Sequence, residues 1–207
     1  MNANTKKFHI AGLAGQIECA LDLPADQPVG IALLGHPHPL YGGTMDNKVV
    51  QIMARAFVDL DYVTVRMNFR GVGSSQGAHA QGVGEADDMA LVLEHARQQY
   101  PGVPVALGGY SFGTYVVSLL QQKMTAEGAP PERMVLVSAT AGKWALDSVP
   151  KNTLLIHGET DEIIPLPDLF QWARPQDLPV VVVTGADHLF NRKLHHIHDI
   201  IDAMWQR

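Results

Sequence analysis

Ser111, Asp161 and His188 have the residue types and chain order of an acyl-transfer site. A serine hydroxyl is a weak nucleophile. It attacks a carbonyl only when a base within hydrogen-bond reach takes its proton, and that base needs a carboxylate to orient it. Ser111 lies in Gly109-Tyr110-Ser111-Phe112-Gly113, a Gly-x-Ser-x-Gly motif. An apolar run at 103–107 precedes the motif, and residues 114–120 read as a helix. A strand, a sharp turn carrying serine and a helix make a nucleophile elbow. Glycines flank the serine because a Cβ there would strike the neighbouring strand or helix.

Asp161 follows the strand expected at 152–157 and Gly158, and His188 follows the valine strand expected at 179–184. In a parallel sheet, loops outside the carboxyl ends of the strands carry the active site. Glu159 and Glu162 compete with Asp161 for the acid role, and Asp161 is favoured by its spacing after the strand. Asp187 adjoins His188, but neighbours on an extended loop point apart. His157 reads as a packing residue. His36 and His38 alternate with prolines, and His195, His196 and His198 with Asp199 sit on the last expected helix. Neither group has the converging ligands a metal needs, so no metal and no cofactor is expected.

A tetrahedral oxyanion needs donors. The amide of Phe112, the residue after the nucleophile, is one candidate. The second is expected from residues 35–43. Pro37 and Pro39 have no N–H, which leaves His38 and Leu40. Tyr41, Phe69, Tyr110 and Phe190 are candidates to line an acyl pocket.

These side chains need a scaffold. Two short strands are expected between residues 8 and 21, around a turn at Gly12 and Gly15. Further strands are expected at 29–34, 62–67 and 133–138. Helices are expected at 48–60, from about 85 to 100, at 166–173 and from 194 to the C-terminus. Most strands are continuous apolar runs, the mark of a parallel sheet covered on both faces. Residues 139–151 form too short a connection for a lid or cap. The chain of 207 residues is expected to form one α/β domain, residues 1–207.

Composition narrows the partners. Charged residues are 17% and hydrophobic ones 46%, so the chain is globular rather than disordered. A net charge of −6 argues against nucleic acid or an anionic membrane, both of which need basic patches. The single cysteine, Cys19, cannot form an internal disulfide, which fits a reducing compartment. No apolar run is long enough to span a membrane, and the first segment is too polar for a signal peptide. A cytoplasmic location is expected, with a small-molecule acyl substrate as partner and a homodimer left open.

At these motifs the chain resembles the α/β-hydrolase superfamily over nearly its whole length. It is most similar to compact, capless, dienelactone-hydrolase-like bacterial serine esterases. The carrying residues are 36–48, 68–77 and 109–113, His157-Gly158 with Asp161, and Asp187-His188 with Phe190. The resemblance implies the α/β-hydrolase fold, with a mostly parallel central sheet, helices on both faces and no cap domain. In related loops the position after a His-x pair donates to the oxyanion, which favours His38 over Leu40. The implied activity is carboxylester hydrolysis through an acyl-serine. Dienelactone hydrolases use cysteine as nucleophile, so serine here argues against dienelactone as substrate. Thioesterase, amidase, short-peptide hydrolase, acyltransferase and perhydrolase activities use the same triad. A non-catalytic binding protein on this fold is the alternative of a different class.

Overall fold

The computed structural model describes residues 5–205. Eight strands form one sheet: β1 (Lys6–Gly12), β2 (Gly15–Asp22), β3 (Gly30–Gly35), β4 (Tyr62–Met67), β5 (Val105–Tyr110), β6 (Arg133–Val137), β7 (Leu154–Gly158) and β8 (Val180–Val183). Five helices connect them: α1 (Lys48–Asp59), α2 (Val83–Gln99), α3 (Phe112–Ala126), α4 (Leu166–Ala173) and α5 (Leu194–Met204). The strand order is β1-β2-β4-β3-β5-β6-β7-β8. The first two strands run antiparallel, as a hairpin laid on β4, and β3 to β8 are parallel.

The parallel strands are buried because helices cover both faces. On one side Met89, Val116, Val117 and Leu169, from α2, α3 and α4, pack with Leu33, Leu107 and Leu136 of the sheet. On the other, Val50, Met53 and Phe57 of α1 and Ile197 and Ile201 of α5 pack on Leu34, Ala106 and Ile156. Burial of such side chains contributes about 1.5–3 kcal/mol each. This two-faced cover explains the unbroken apolar strands of the sequence. The fold is that of the α/β hydrolases, with a mostly parallel sheet and no cap.

Several boundaries differ from the sequence reading for local reasons. β7 begins at Leu154 because the Thr153 amide closes a turn on the Pro150 carbonyl. α2 begins at Val83, two residues before Glu85. The buried Glu85 carboxylate accepts from the Ala80 and Gly82 amides and so caps the helix from inside. A short 3₁₀ turn, Pro39–Tyr41, was not expected, and two prolines in 37–39 hold its entry. The expected last helix ends at Met204. The end of that expectation, Gln206 and Arg207, and the first and last residues of the expected domain lie outside the described residues. No helix among the described residues is long and apolar enough to cross a membrane.

Candidate active site

Ser111 stands between β5 and α3 with φ +52° and ψ −125°. L-residues seldom adopt a positive φ, and the backbone holds Ser111 there from two sides. Its amide donates to the Val137 carbonyl of β6, 3.0 Å away, and its carbonyl accepts from the Thr114 amide. A Cβ at Gly109 would lie 2.6 Å from the Gly113 carbonyl oxygen, and one at Gly113 would strike the carbonyl of Gly35 at the end of β3. The two glycines thus let α3 press against the strand ends. The hydroxyl of Ser111 rises above the sheet at the positive end of a 15-residue helix.

His188 Nε2 lies 3.1 Å from Ser111 Oγ, and His188 Nδ1 lies 2.8 Å from Asp161 Oδ2. The only tautomer serving both contacts has the proton on Nδ1, donated to the carboxylate, with Nε2 free to accept from the serine. Tyr110 helps hold His188 in place: its hydroxyl donates to the His188 carbonyl at 2.8 Å.

The Asp161 carboxylate is fully enclosed and fully used. Oδ1 accepts from the amides of Ile163 and Ile164, at 3.0 and 2.8 Å. Oδ2 accepts from His188 and from the hydroxyl of Ser138, each at 2.8 Å. Burial alone would raise its pKa. The bonds from His188, the Ile164 amide and Ser138 outweigh burial and hold the carboxyl below its ordinary range. Ser138, at φ +48° just past β6, was not singled out as a site residue from the sequence. The signal available was a polar residue at the end of an apolar strand, beside the strand that carries Asp161.

The rival acids are occupied elsewhere or exposed. Glu159 accepts from the Gly185 amide, and Asp187 from the backbone amide and side-chain amide of Asn191. Glu162 is exposed to solvent. His157 is buried, with Nε2 on the Ile164 carbonyl at 2.9 Å, so it ties the loop that bears Asp161. His36 joins two loops. The Phe69 amide donates to its Nε2, and its Nδ1–H donates to the Pro37 carbonyl. His198 lies on α5, 2.9 Å from Asp59 of α1.

A cleft of about 710 Å³ opens over Ser111 and His188, and Pro37, His38, Tyr41, Tyr110, Phe112 and Trp144 form part of its wall. Two of the expected pocket residues are corrected. Phe69 is wholly buried against His36 and Phe112, and Phe190 is wholly buried in the core that faces α1 and α5. Both loops turn these rings inward, where their apolar area is removed from water. Tyr41 and Tyr110 do line the cleft, the first largely exposed and the second with its hydroxyl engaged by His188.

Among the described residues, no group accepts from the backbone amides of His38 or Phe112. Both residues line the cleft, and their rings lie 4.6 Å apart. The Leu40 amide is taken by His38 Nδ1 at 3.2 Å, which removes it as a free donor. Free amides beside a serine, an imidazole and a buried carboxylate can stabilise an oxyanion while the serine attacks a carbonyl.

Comparison with known proteins agrees with this geometry. Residues 41–151, the stretch that contains Ser111, match the family described as serine aminopeptidase S33 (Hydrolase_4). An uncharacterised protein of Rickettsia prowazekii is 31% identical over 95% of this chain and 87% of its own. A lidless α/β serine hydrolase from Xanthomonas campestris superposes with a TM-score of 0.91, at 31% identity over 99% of this chain and 94% of that one. An α/β serine hydrolase homologue from Coxiella burnetii gives 0.86, at 32% identity over 96% of each chain. The chain belongs to the Hydrolase_4 family of the α/β-hydrolase superfamily and groups with capless bacterial serine hydrolases.

Proposed function

We infer that this serine hydrolase cleaves carboxylic esters of small acyl groups through an acyl-serine intermediate. The observation that carries the reading is the pair of contacts made by His188, to Ser111 Oγ and to Asp161 Oδ2. Ser111 Oγ bonds to the acyl carbon while its proton passes to His188 Nε2, and the carbonyl oxygen becomes an oxyanion facing the amides of Phe112 and His38. Collapse breaks the bond to the alkoxide, which leaves with the proton from Nε2. Water then attacks the acyl-serine by the same route: its proton goes to Nε2, the acid leaves and Oγ recovers the proton. Asp161 stays ionised throughout and stabilises the imidazolium.

The family description favours a second reading, peptide-bond hydrolysis from a free amino terminus. An α-ammonium needs a carboxylate to receive it, and among the described residues no Asp or Glu lines the cleft. That contrast supports esters over aminopeptidase substrates.

Steady-state kinetics on p-nitrophenyl esters and on alanine p-nitroanilide tests the reading. Turnover is expected for esters from acetate to about hexanoate and to exceed that of the anilide. Ser111→Ala should lower kcat by at least about 10³ without unfolding the protein. A fluorophosphonate should label Ser111 in the parent. Labelling at Ser138, or a variant as active as the parent, would show that the nucleophile lies elsewhere.

A further inference from the structure

The charge of the cleft runs against that of the chain. The sequence has 21 acidic and 15 basic residues, yet among the described residues no carboxylate lines the cleft, and Lys143 does. Among the described residues, no group pairs with the Lys143 ammonium. Two acids stand near this part of the wall without pairing with Lys143: Asp168 lies beside Gly142, and exposed Glu162 adjoins Ile163; the other acids around the site are engaged. Asp161 lies enclosed beneath His188, Glu85 is enclosed on the Ala80 and Gly82 amides, and Glu159 and Asp187 hold the Gly185 and Asn191 amides.

A second donor stands in the same part of the wall. The Leu40 amide must donate to His38 Nδ1, so the proton of the neutral ring is on Nε2. That N–H has no partner among the described residues, and His38 lines the cleft. Burial, with His79 beside the ring, lowers the His38 pKa, so the ring serves as a neutral donor. The Trp144 ring lies 5.7 Å from the His38 ring, which brings the chain segment bearing Lys143 to His38. The His38 ring in turn lies 4.6 Å from the ring of Phe112, next to the nucleophile.

An ammonium and an N–H that meets no partner among the described residues, in a wall otherwise rich in Tyr41, Phe112, Trp144, Ile163 and Leu189, match one kind of group on a substrate. We propose that the cleft selects esters that carry a carboxylate besides the scissile ester, with Lys143 as the specificity-determining residue and His38 Nε2–H as a second donor. The inference rests on the ester-hydrolase reading above. A net charge of −6 repels anions at long range, so a local cation is needed to hold one.

Two substrate pairs test it, one for each side of the ester. Mono-p-nitrophenyl adipate against p-nitrophenyl hexanoate places the carboxylate on the acyl side. 4-Acetoxybenzoate against 4-acetoxybenzamide places it on the leaving group. The measured quantity is the ratio of kcat/KM for the anionic substrate to that for its neutral partner. In at least one pair Lys143→Glu should lower this ratio at least about tenfold, equivalent to about 1.4 kcal/mol. Lys143→Arg should hold it within about threefold, since the charge is kept. If neutral esters are turned over and Lys143→Glu moves neither ratio by more than about twofold, the anionic-substrate inference is wrong and the hydrolase reading stands. If the parent turns over none of the four esters and fluorophosphonate leaves Ser111 unlabelled, both fall together.

Discussion

At the scale of single residues, the carboxylate that holds His188 is itself held by a group that does not touch Ser111. Ser138 donates to the same carboxylate oxygen that receives His188. A hydrogen bond to a charged group contributes about 1.5–3 kcal/mol, so its loss lets Asp161 rotate and weakens its hold on the imidazole. Ser138→Ala should lower kcat by about one to two powers of ten with little change in KM. Asp161→Asn, which leaves His188 in the wrong tautomer, should cost about 10⁴. Ser138→Gly separates the hydroxyl from the backbone, because glycine accepts φ +48° without strain. A glycine variant with full activity would show that the hydroxyl has no part in catalysis. Cys19 illustrates the opposite case, a reactive residue type made inert: burial pushes its thiol pKa up to about 12.

The functional elements are the turns at the carboxyl ends of the strands. The loop after β3 carries two histidines that sequence inspection would rank as candidate bases, yet neither ring meets Ser111, whose partner is His188. His36 bridges the Pro37 carbonyl and the Phe69 amide, and His38 caps Leu40. On the proposed mechanism, the loop's contribution to the oxyanion is the His38 amide. His38 has φ −57°, close to the value proline imposes, so His38→Pro deletes the N–H without forcing a new backbone angle. Loss of one oxyanion donor costs about 2.7–4 kcal/mol. On a neutral ester, His38→Pro should therefore fall about 10²–10³ further in kcat than His38→Ala. The comparison is kinetic, on proteins whose circular dichroism matches the parent. Equal losses would transfer the role from the amide to the imidazole.

For the whole molecule, the strand ends that build the site also make the fold sensitive to acid. His36 is buried with one ring nitrogen donating and the other accepting, an arrangement that only the neutral ring satisfies. Burial lowers its pKa to about 3, and burial lowers that of His157 as well. Both histidines have an unfolded pKa of about 6.5. As pH falls below that value the unfolded chain takes up protons that the folded one refuses, so stability drops. For His36 alone the loss reaches about 2 kcal/mol by pH 5. Carboxylates with lowered pKa, such as Asp161, lose their contribution only below about pH 4, so the window between pH 4.5 and 6.5 belongs to the histidines. Urea denaturation should show stability falling through that window, with a shallower slope in His36→Gln. An unchanged slope in the variant would exclude His36 as a source.

The sequence alone determined most of the elements and the serine-hydrolase class, because both are written locally. Continuous apolar runs mark strands buried on two faces, and glycine on both sides of Ser111 marks a turn that no larger residue permits. Serine, aspartate and histidine placed after successive strands mark the loops where reacting groups gather. Tertiary structure decided everything that depends on which loops meet. It gave Ser138 to Asp161 across two strand ends 23 residues apart in sequence. It turned Phe69 and Phe190 into the core and committed the Leu40 amide to His38. It also brought Lys143 and Trp144 to the wall that holds His38. Residue type states what a side chain can donate, accept or bury. Which partner it meets is set by the order of the parallel strands and the packing of the helices across them, and no short stretch of sequence encodes either.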